Sequence, residues 1–257
     1  MSKLAIFIHY RSEGEIPINV KYYLNELKLY FDDTILVTNN REISNLNEFY
    51  NNNILVFNNE GYDFGSLYKA LNAIDYSIYS HIGVFNDSNI ILNPLNKILD
   101  WGFNSNNNFW GITDCYLTNI PNIYTYHIQS HFMVFDNIAI KHLYNYLNDN
   151  KIYNLFNTDI SVRELRLKII DTYEIGLTQY LLFNNIKIES YFKSDNKNPI
   201  NMHIDEWDKL IEQEYPFIKK KIVNNSFDIL TERQTYEKFK KLDIINYLNI
   251  LHTKYRI

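Results

Sequence analysis

Asn59-Glu60-Gly61-Tyr62-Asp63-Phe64-Gly65 stands between two different hydrophobic patterns. Ahead of it, residues 54–57 form a short apolar run of strand type. Behind it, Leu67, Ala70, Leu71 and Ile74 recur at helical spacing. The segment therefore reads as a strand-to-helix junction. Gly61 permits a positive φ or a close backbone approach. The start of the helix offers free N–H groups and the positive end of a dipole to an anion such as a diphosphate. The plainer reading is a bare junction, with Asp63 as the helix N-cap.

Working outward, the same alternation continues. Residues 4–9 read as a buried strand, and residues 20–31 as a helix carrying Val20, Tyr23, Leu24, Leu27 and Phe31 on one face. Residues 34–38 and 81–85 read as further strands. Strands alternating with helices predict an α/β fold with a mostly parallel sheet flanked by helices. Ligands bind such sheets beyond the carboxyl ends of the strands. That rule selects His9, Tyr10 and Arg11, then Thr38, then Asn59, Gly61, Asp63 and Gly65, and finally Asn86, Asp87 and Ser88. Further on, residues 94–101 read as a helix, 109–113 and 127–135 as strands, and 137–147 as a helix capped by Asp136 or Asn137. Residues 160–173 and 177–183 read as two helices, and 186–191 as a strand.

Several side chains invite chemistry. Asp87 follows a strand, where a carboxylate suits Mg²⁺ or Mn²⁺; the alternative is a simple turn made with Ser88. Glu174 lies between two helical stretches. It suits a general base, or a glutamate favourable to a helix dipole. His127, Gln129 and His131 share one face of a strand by two-residue alternation. No third ligand has the spacing of a zinc site, so edge-strand histidines are the simpler reading.

The composition narrows the classes. A chain of 257 residues buries enough surface to fold without disulfides, and its one cysteine, Cys115, excludes a disulfide framework. A net charge of −5 speaks against nucleic acid as a partner. The 22 tyrosines and 16 phenylalanines fit either codon bias or a carbohydrate-binding surface. The apolar run at residues 4–8 is too short for a signal peptide, and no 18-residue apolar run spans a bilayer, so a cytoplasmic location is expected. In residues 234–257, apolar positions at three-residue steps predict a helix among basic residues. It packs on its own domain, or meets a partner or the inner face of a membrane.

Taken in order, seven segments resemble the rhamnan synthesis protein F family, glycosyltransferases of bacterial surface polysaccharides. They are Asn59 to Gly65, Asn86 to Ser88, Trp110-Gly111-Ile112-Thr113, His127 to Phe132, Glu174 to Thr178, Asn198-Pro199, and Trp207 through Pro216 to Lys220. The resemblance covers residues 1–225 and implies a GT-A-like domain there, with a helical extension over 226–257. It implies a nucleoside-diphosphate sugar donor, dTDP-L-rhamnose first, a growing glycan as acceptor, and inversion at the anomeric carbon. It also implies a divalent cation, Mn or Mg, at Asp87, with His203 as a further ligand. Glu174 falls where the base belongs, with Asp114 as runner-up. Trp110, His127, Gln129 and His131 would face the acceptor. Asn86-Asp87-Ser88 departs from many GT-A enzymes in carrying one carboxylate where they carry two. The competing classes are a non-catalytic nucleotide-sugar or glycan-binding module and an interaction protein working through the tail helix.

Overall fold

The computed structural model describes residues 2–11, 13–45, 53–197 and 199–223. In chain order these form β1 (Ser2–His9), α1 (Ile18–Leu27), β2 (Asp33–Thr38), β3 (Asn53–Val56), α2 (Tyr62–Ala73), β4 (Tyr79–Asn86), β5 (Asn89–Ile91) and α3 (Asn96–Asn104). There follow β6 (Phe109–Leu117), β7 (Tyr124–Ile128), β8 (Phe132–Asp136), α4 (Ala139–Asp149), α5 (Val162–Lys168), a π-helical segment (Ile169–Ile175) and α6 (Gly176–Phe183). The last elements are β9 (Ile188–Phe192), α7 (Met202–Asp205), α8 (Trp207–Glu212), β10 (Phe217–Lys219) and α9 (Lys220–Val223). The helix expected over 234–257 lies outside the described residues, as does Asn198.

The main sheet runs β3-β2-β1-β4-β8-β6-β7, with β9 beside β6. The strands β3, β2, β1 and β4 are mutually parallel, with Phe7 opposite both Leu36 and Phe85. β8 runs antiparallel to β4 and to β6, which returns β6 and its parallel neighbour β9 to the direction of β4. This is the mostly parallel α/β sheet flanked by helices expected from the sequence.

The continuous apolar run of β1 has a physical reason: both faces of the strand are covered. Leu4, Ile6 and Ile8 join the core beneath α2, α4 and α6, whereas Ala5 and Phe7 join the core beneath α1 and α3. All five are buried. At about 25 cal/mol per Å² of apolar surface, each large side chain buried here contributes roughly 1.5–3 kcal/mol.

Two local readings change, a second sheet is added, and one open choice is decided. The strand expected over 127–135 is split into β7 and β8, and residues 129–131 leave the ladder between them. The two helices expected over 160–183 are one unbroken helical run whose middle is π-helical. A second, two-stranded sheet pairs β10 with β5 and puts Lys219 opposite Asn89. Of the two candidate caps for α4, Asp136 is the one whose Oδ1 accepts the N–H groups of Ile138 and Ala139, at 2.9 and 2.8 Å. Among the described residues, no helix is long and apolar enough to cross a membrane.

Candidate functional site

A cavity of about 390 Å³ opens at the carboxyl end of β4. Its walls carry Asp63, Asn86, Ser88, Gln129, Glu174 and Lys219. The near wall is the start of α2. Gly61 has φ +73° and forms its left-handed cap, followed by Tyr62 at φ +50°. Gly65 serves packing: a Cβ there would meet the Glu60 carbonyl oxygen at 1.9 Å and the Phe156 ring at 3.1 Å. Asp63 is not the N-cap but lies within the first turn. Its Oδ2 accepts from Asn86 Nδ2 at 2.7 Å, and Asn86 Oδ1 in turn accepts from the Ser88 hydroxyl at 2.6 Å. Burial pushes the Asp63 carboxyl up to about 6, helped by the charges of Asp87 and Glu174 and opposed by the Asn86 hydrogen bond and by Lys219.

The far wall is made by the interruption between β7 and β8. Gln129 N–H still reaches the Thr113 carbonyl at 3.1 Å, and the His131 carbonyl accepts from Asn86 N–H. The extra residues therefore bend the strand toward the end of β4 and turn Gln129, Ser130 and His131 into the cavity. Glu174 arrives from the π-helical segment, where Gly176 N–H bonds to the Asp171 carbonyl, five residues back. Such widened turns free carbonyl groups and re-aim side chains. The Tyr146 hydroxyl satisfies one of them, Thr172, at 2.7 Å. A Cβ on Gly176 would lie 2.4 Å from that hydroxyl oxygen. Glu174 Oε1 accepts from Ser130 N–H at 3.1 Å, which joins the two halves of the far wall.

Beneath this wall runs a buried polar chain. His131 Nε2 lies 3.1 Å from the Tyr215 hydroxyl, which lies 2.9 Å from His203 Nδ1. His203 Nε2 is 2.5 Å from Thr113 Oγ1, and that hydroxyl donates to Gln129 Oε1 at 2.9 Å. Because Thr113 spends its proton on Gln129, His203 Nε2–H must donate and Nδ1 must accept from Tyr215. Tyr215 then accepts from His131 Nε2–H. Both imidazoles are neutral in this arrangement: burial holds both well below the usual histidine range, a proton on His203 would disfavour one on His131, and the charge of Lys219 opposes protonation of both. The chain leaves the amide nitrogen of Gln129 without a hydrogen-bond partner among the described residues, on the cavity side.

The cation site expected at Asp87 does not fit its surroundings. Asp87 Oδ2 accepts from His9 Nδ1 at 2.6 Å and from Lys220 Nζ at 3.0 Å. Burial alone would raise this carboxyl, but the His9 hydrogen bond and the Lys220 charge outweigh it and hold the carboxyl below its usual range. A divalent ion at that oxygen would face an ammonium group at contact distance. His203 is enclosed by Tyr215, Thr113 and His131 and shares no partner with Asp87. Among the described residues no three His, Cys, Asp or Glu side chains are grouped to hold a metal ion. Among the described residues, the lysine and arginine that line the cavity are Lys219 and Arg166, neither selected from the sequence. The signal for Lys219 is the run of three lysines, Lys219 to Lys221, that closes the apolar stretch from Tyr215 to Ile218.

The other selected residues are more widely spread. His9 is buried behind Asp87. Tyr10 is 63% exposed at the sheet edge, and Arg11 N–H reaches Asn39 Oδ1 at 2.7 Å, so the loops after β1 and β2 do meet. Thr38 is buried, its hydroxyl oxygen accepting from Asn40 N–H. Asn59 is exposed. His127 lines the cavity, with Nδ1 against the Thr125 carbonyl at 2.9 Å. Two expectations are corrected. Trp110 is 1% exposed and sits in the core against Trp101, Phe103 and Phe132, because its register on β6 faces α3. Asp114 turns away from the cavity. Its carboxylate takes Ser190 Oγ at 2.6 Å, Ser194 N–H at 2.6 Å and Ser194 Oγ at 2.5 Å, which ties down the loop after β9.

Three solved structures overlay on this fold at low identity. One is a Bacillus anthracis protein assigned as a glucose-1-phosphate thymidylyltransferase, 8% identical, covering 76% of this chain and 87% of its own, TM-score 0.48. A second is 4-diphosphocytidyl-2C-methyl-D-erythritol synthase of Anaerococcus prevotii, 13% identical, covering 80% and 94%, TM-score 0.43. The third is a CMP-2-keto-3-deoxy-manno-octonic acid synthetase complexed with CTP, 9% identical, covering 83% and 100%, TM-score 0.44. No curated protein matches the chain in sequence. The family described as rhamnan synthesis protein F matches residues 35–251, which take in the cavity and both its walls. That match supports a nucleotide-sugar-using transferase of polysaccharide synthesis, and by it the chain belongs to the rhamnan synthesis protein F family.

Proposed function

We propose that this protein is an inverting glycosyltransferase that moves a sugar from a nucleoside-diphosphate donor to a hydroxyl of a growing bacterial glycan. The first candidate donor is dTDP-L-rhamnose. One observation carries the reading: Glu174 shares a single cavity with Asp63, Asn86 and Ser88 at the end of β4. A single displacement needs one base and no covalent intermediate. The acceptor hydroxyl lies against Glu174 and gives up its proton there while its oxygen attacks the anomeric carbon. The bond from that carbon to the diphosphate breaks on the opposite face, with its electron pair leaving on the phosphate oxygen. The Gln129 amide N–H₂ meets a sugar hydroxyl, with His131 beneath it in the buried chain that orients Gln129. The nucleoside lies toward Tyr10, Arg11, Thr38 and Asn39 along the sheet edge.

The test is a donor screen that follows nucleotide release from dTDP-L-rhamnose, dTDP-glucose, UDP-glucose and GDP-mannose, with rhamnose-containing oligosaccharides as acceptors. Release well above that of Glu174→Gln is expected for at least one pair. A panel in which wild type and Glu174→Gln release nucleotide equally would refute the transferase reading.

A further inference from the structure

We propose that Lys219 supplies the positive charge for the donor's diphosphate, in the place where the resemblance expected a divalent cation at Asp87. The inference rests on the transferase reading above and deepens it.

Two lysines are pinned to one turn. β10 pairs with β5, placing Lys219 opposite Asn89, and Lys220 N–H bonds to the Ser88 carbonyl at 3.0 Å. Lys219 ends β10 and Lys220 opens α9, so the backbone changes conformation between them and their side chains part. Lys220 therefore turns to Asp87 and occupies its Oδ2, while Lys219 turns into the cavity. The division of labour follows from that junction: Asp87 anchors Lys220, and Lys219 is left facing the ligand.

The Lys219 ammonium carries three donors but has one long contact among the described residues, Ser88 Oγ at 3.4 Å. A half-buried ammonium with so few protein partners is costly unless something anionic meets it. Asp63 and Glu174 lie near enough to act on it electrostatically, and both favour its charged form. Burial pulls the other way and dominates, which leaves the ammonium under-compensated. Arg166, the second cation on the wall, adds to the positive field. A diphosphate at Ser88 would complete the set: ammonium, hydroxyl and guanidinium on one side, with Glu174 left for the acceptor. The buried chain from His131 through Tyr215 to His203 fixes Tyr215 two residues before β10 and so holds Lys219 in place.

In the transfer step the bond from the anomeric carbon to the phosphate oxygen breaks with both electrons on that oxygen. The bond to the acceptor oxygen forms, and the acceptor proton goes to Glu174. Lys219 neutralises the charge that collects on the diphosphate and transfers no proton.

The experiment is calorimetric titration of dTDP, UDP and inorganic pyrophosphate into the whole protein, in EDTA and in Mn²⁺. Wild type is expected to bind dTDP or UDP in EDTA with a Kd within about threefold of that in Mn²⁺, since a charge-assisted contact to phosphate comes from the chain itself. Lys219→Met, which keeps the stem and loses the charge, is expected to weaken that binding by about tenfold or more. Lys219→Arg is expected to retain most of it. Binding that needs Mn²⁺, or a folded Lys219→Met that binds like wild type, overturns the proposal and leaves the transferase reading standing. Failure of both nucleotides to bind with or without Mn²⁺ overturns both. If Lys219→Met does not fold, the wild-type comparison in EDTA decides alone.

Discussion

Oε1 of Glu174 accepts a hydrogen bond from the main-chain N–H of Ser130 at 3.1 Å, so a side chain from the π-helical turn is oriented by the break between β7 and β8. One carboxylate oxygen is held, and the group faces the cavity. Glu174→Gln keeps an amide oxygen for Ser130 but cannot take a proton. General-base catalysis contributes about 10²–10⁴-fold, so kcat is expected to fall by that factor. The Kd for the nucleoside diphosphate is expected to stay near the wild-type value in the same preparation. A variant retaining more than about a tenth of wild-type kcat removes Glu174 from the base role.

Tyr215→Phe tests the buried chain. The hydroxyl accepts from His131 and donates to His203, and both rings are buried. Its loss leaves a donor and an acceptor unpaired, at about 1–3 kcal/mol each. A loss of about 2–4 kcal/mol in denaturant unfolding is therefore expected, or roughly 5–15 °C in Tm for a domain of this size. An unchanged unfolding midpoint would mean that water replaces the hydroxyl without loss.

Gly65→Ala tests the junction that opens α2. The added carbon would overlap the Glu60 carbonyl oxygen, which is backbone and cannot rotate away. Overpacking of this kind costs about 1–3 kcal/mol, and here it also displaces the turn that carries Asp63. Lower stability together with weaker nucleotide binding is the expected pair of results. Stability equal to wild type would show that the turn relaxes freely.

The parts of this site that were readable in the sequence rest on local patterns. The apolar run of β1 is continuous because both faces are covered, and the glycines at 61 and 65 stand where the backbone needs them. Parallel strands then bring the ends of β1 and β4 together by topology alone. What was hidden depends on pairings between distant residues. Lys219 reaches Ser88 across 131 positions through a three-residue strand, too short to show a period. Asp114 reads as available from its neighbours in sequence, but Ser190 and Ser194, 76 and 80 positions on, take its oxygens. Asp87 likewise reads as a free strand-end carboxylate when His9 and Lys220 are out of view. The two-residue period did place Gln129 and His131 near each other. It could not foresee that the ladder breaks between them and delivers Ser130 to Glu174.

The last prediction concerns Asp63 and pH. Its carboxyl is pushed up to about 6 in the folded protein by burial, with the negative charges of Asp87 and Glu174 adding to the shift and Asn86 and Lys219 opposing it. In the unfolded chain an aspartate titrates near about 3.9. A raised pKa means that the folded state binds the proton more tightly. The favourable contribution is then fully present below about pH 4 and is lost as pH rises through about 6. Asp63→Asn removes that titration while keeping an oxygen to accept from Asn86. Relative to wild type, the variant is expected to gain nothing at pH 4, to gain progressively between pH 4 and 6, and to level off above about pH 7. A two-unit shift corresponds to about 3 kcal/mol, and because the carboxyl faces the open cavity the plateau is expected at about 1–3 kcal/mol. Neutral His131 and His203 work in the opposite sense, since their lowered values make the wild type lose stability as pH falls below about 6.5. Both proteins share those histidines, so the difference between their urea unfolding free energies at pH 4.5, 6 and 8 isolates Asp63. A difference that is the same at all three values would show that Asp63 ionises as freely in the fold as in the open chain.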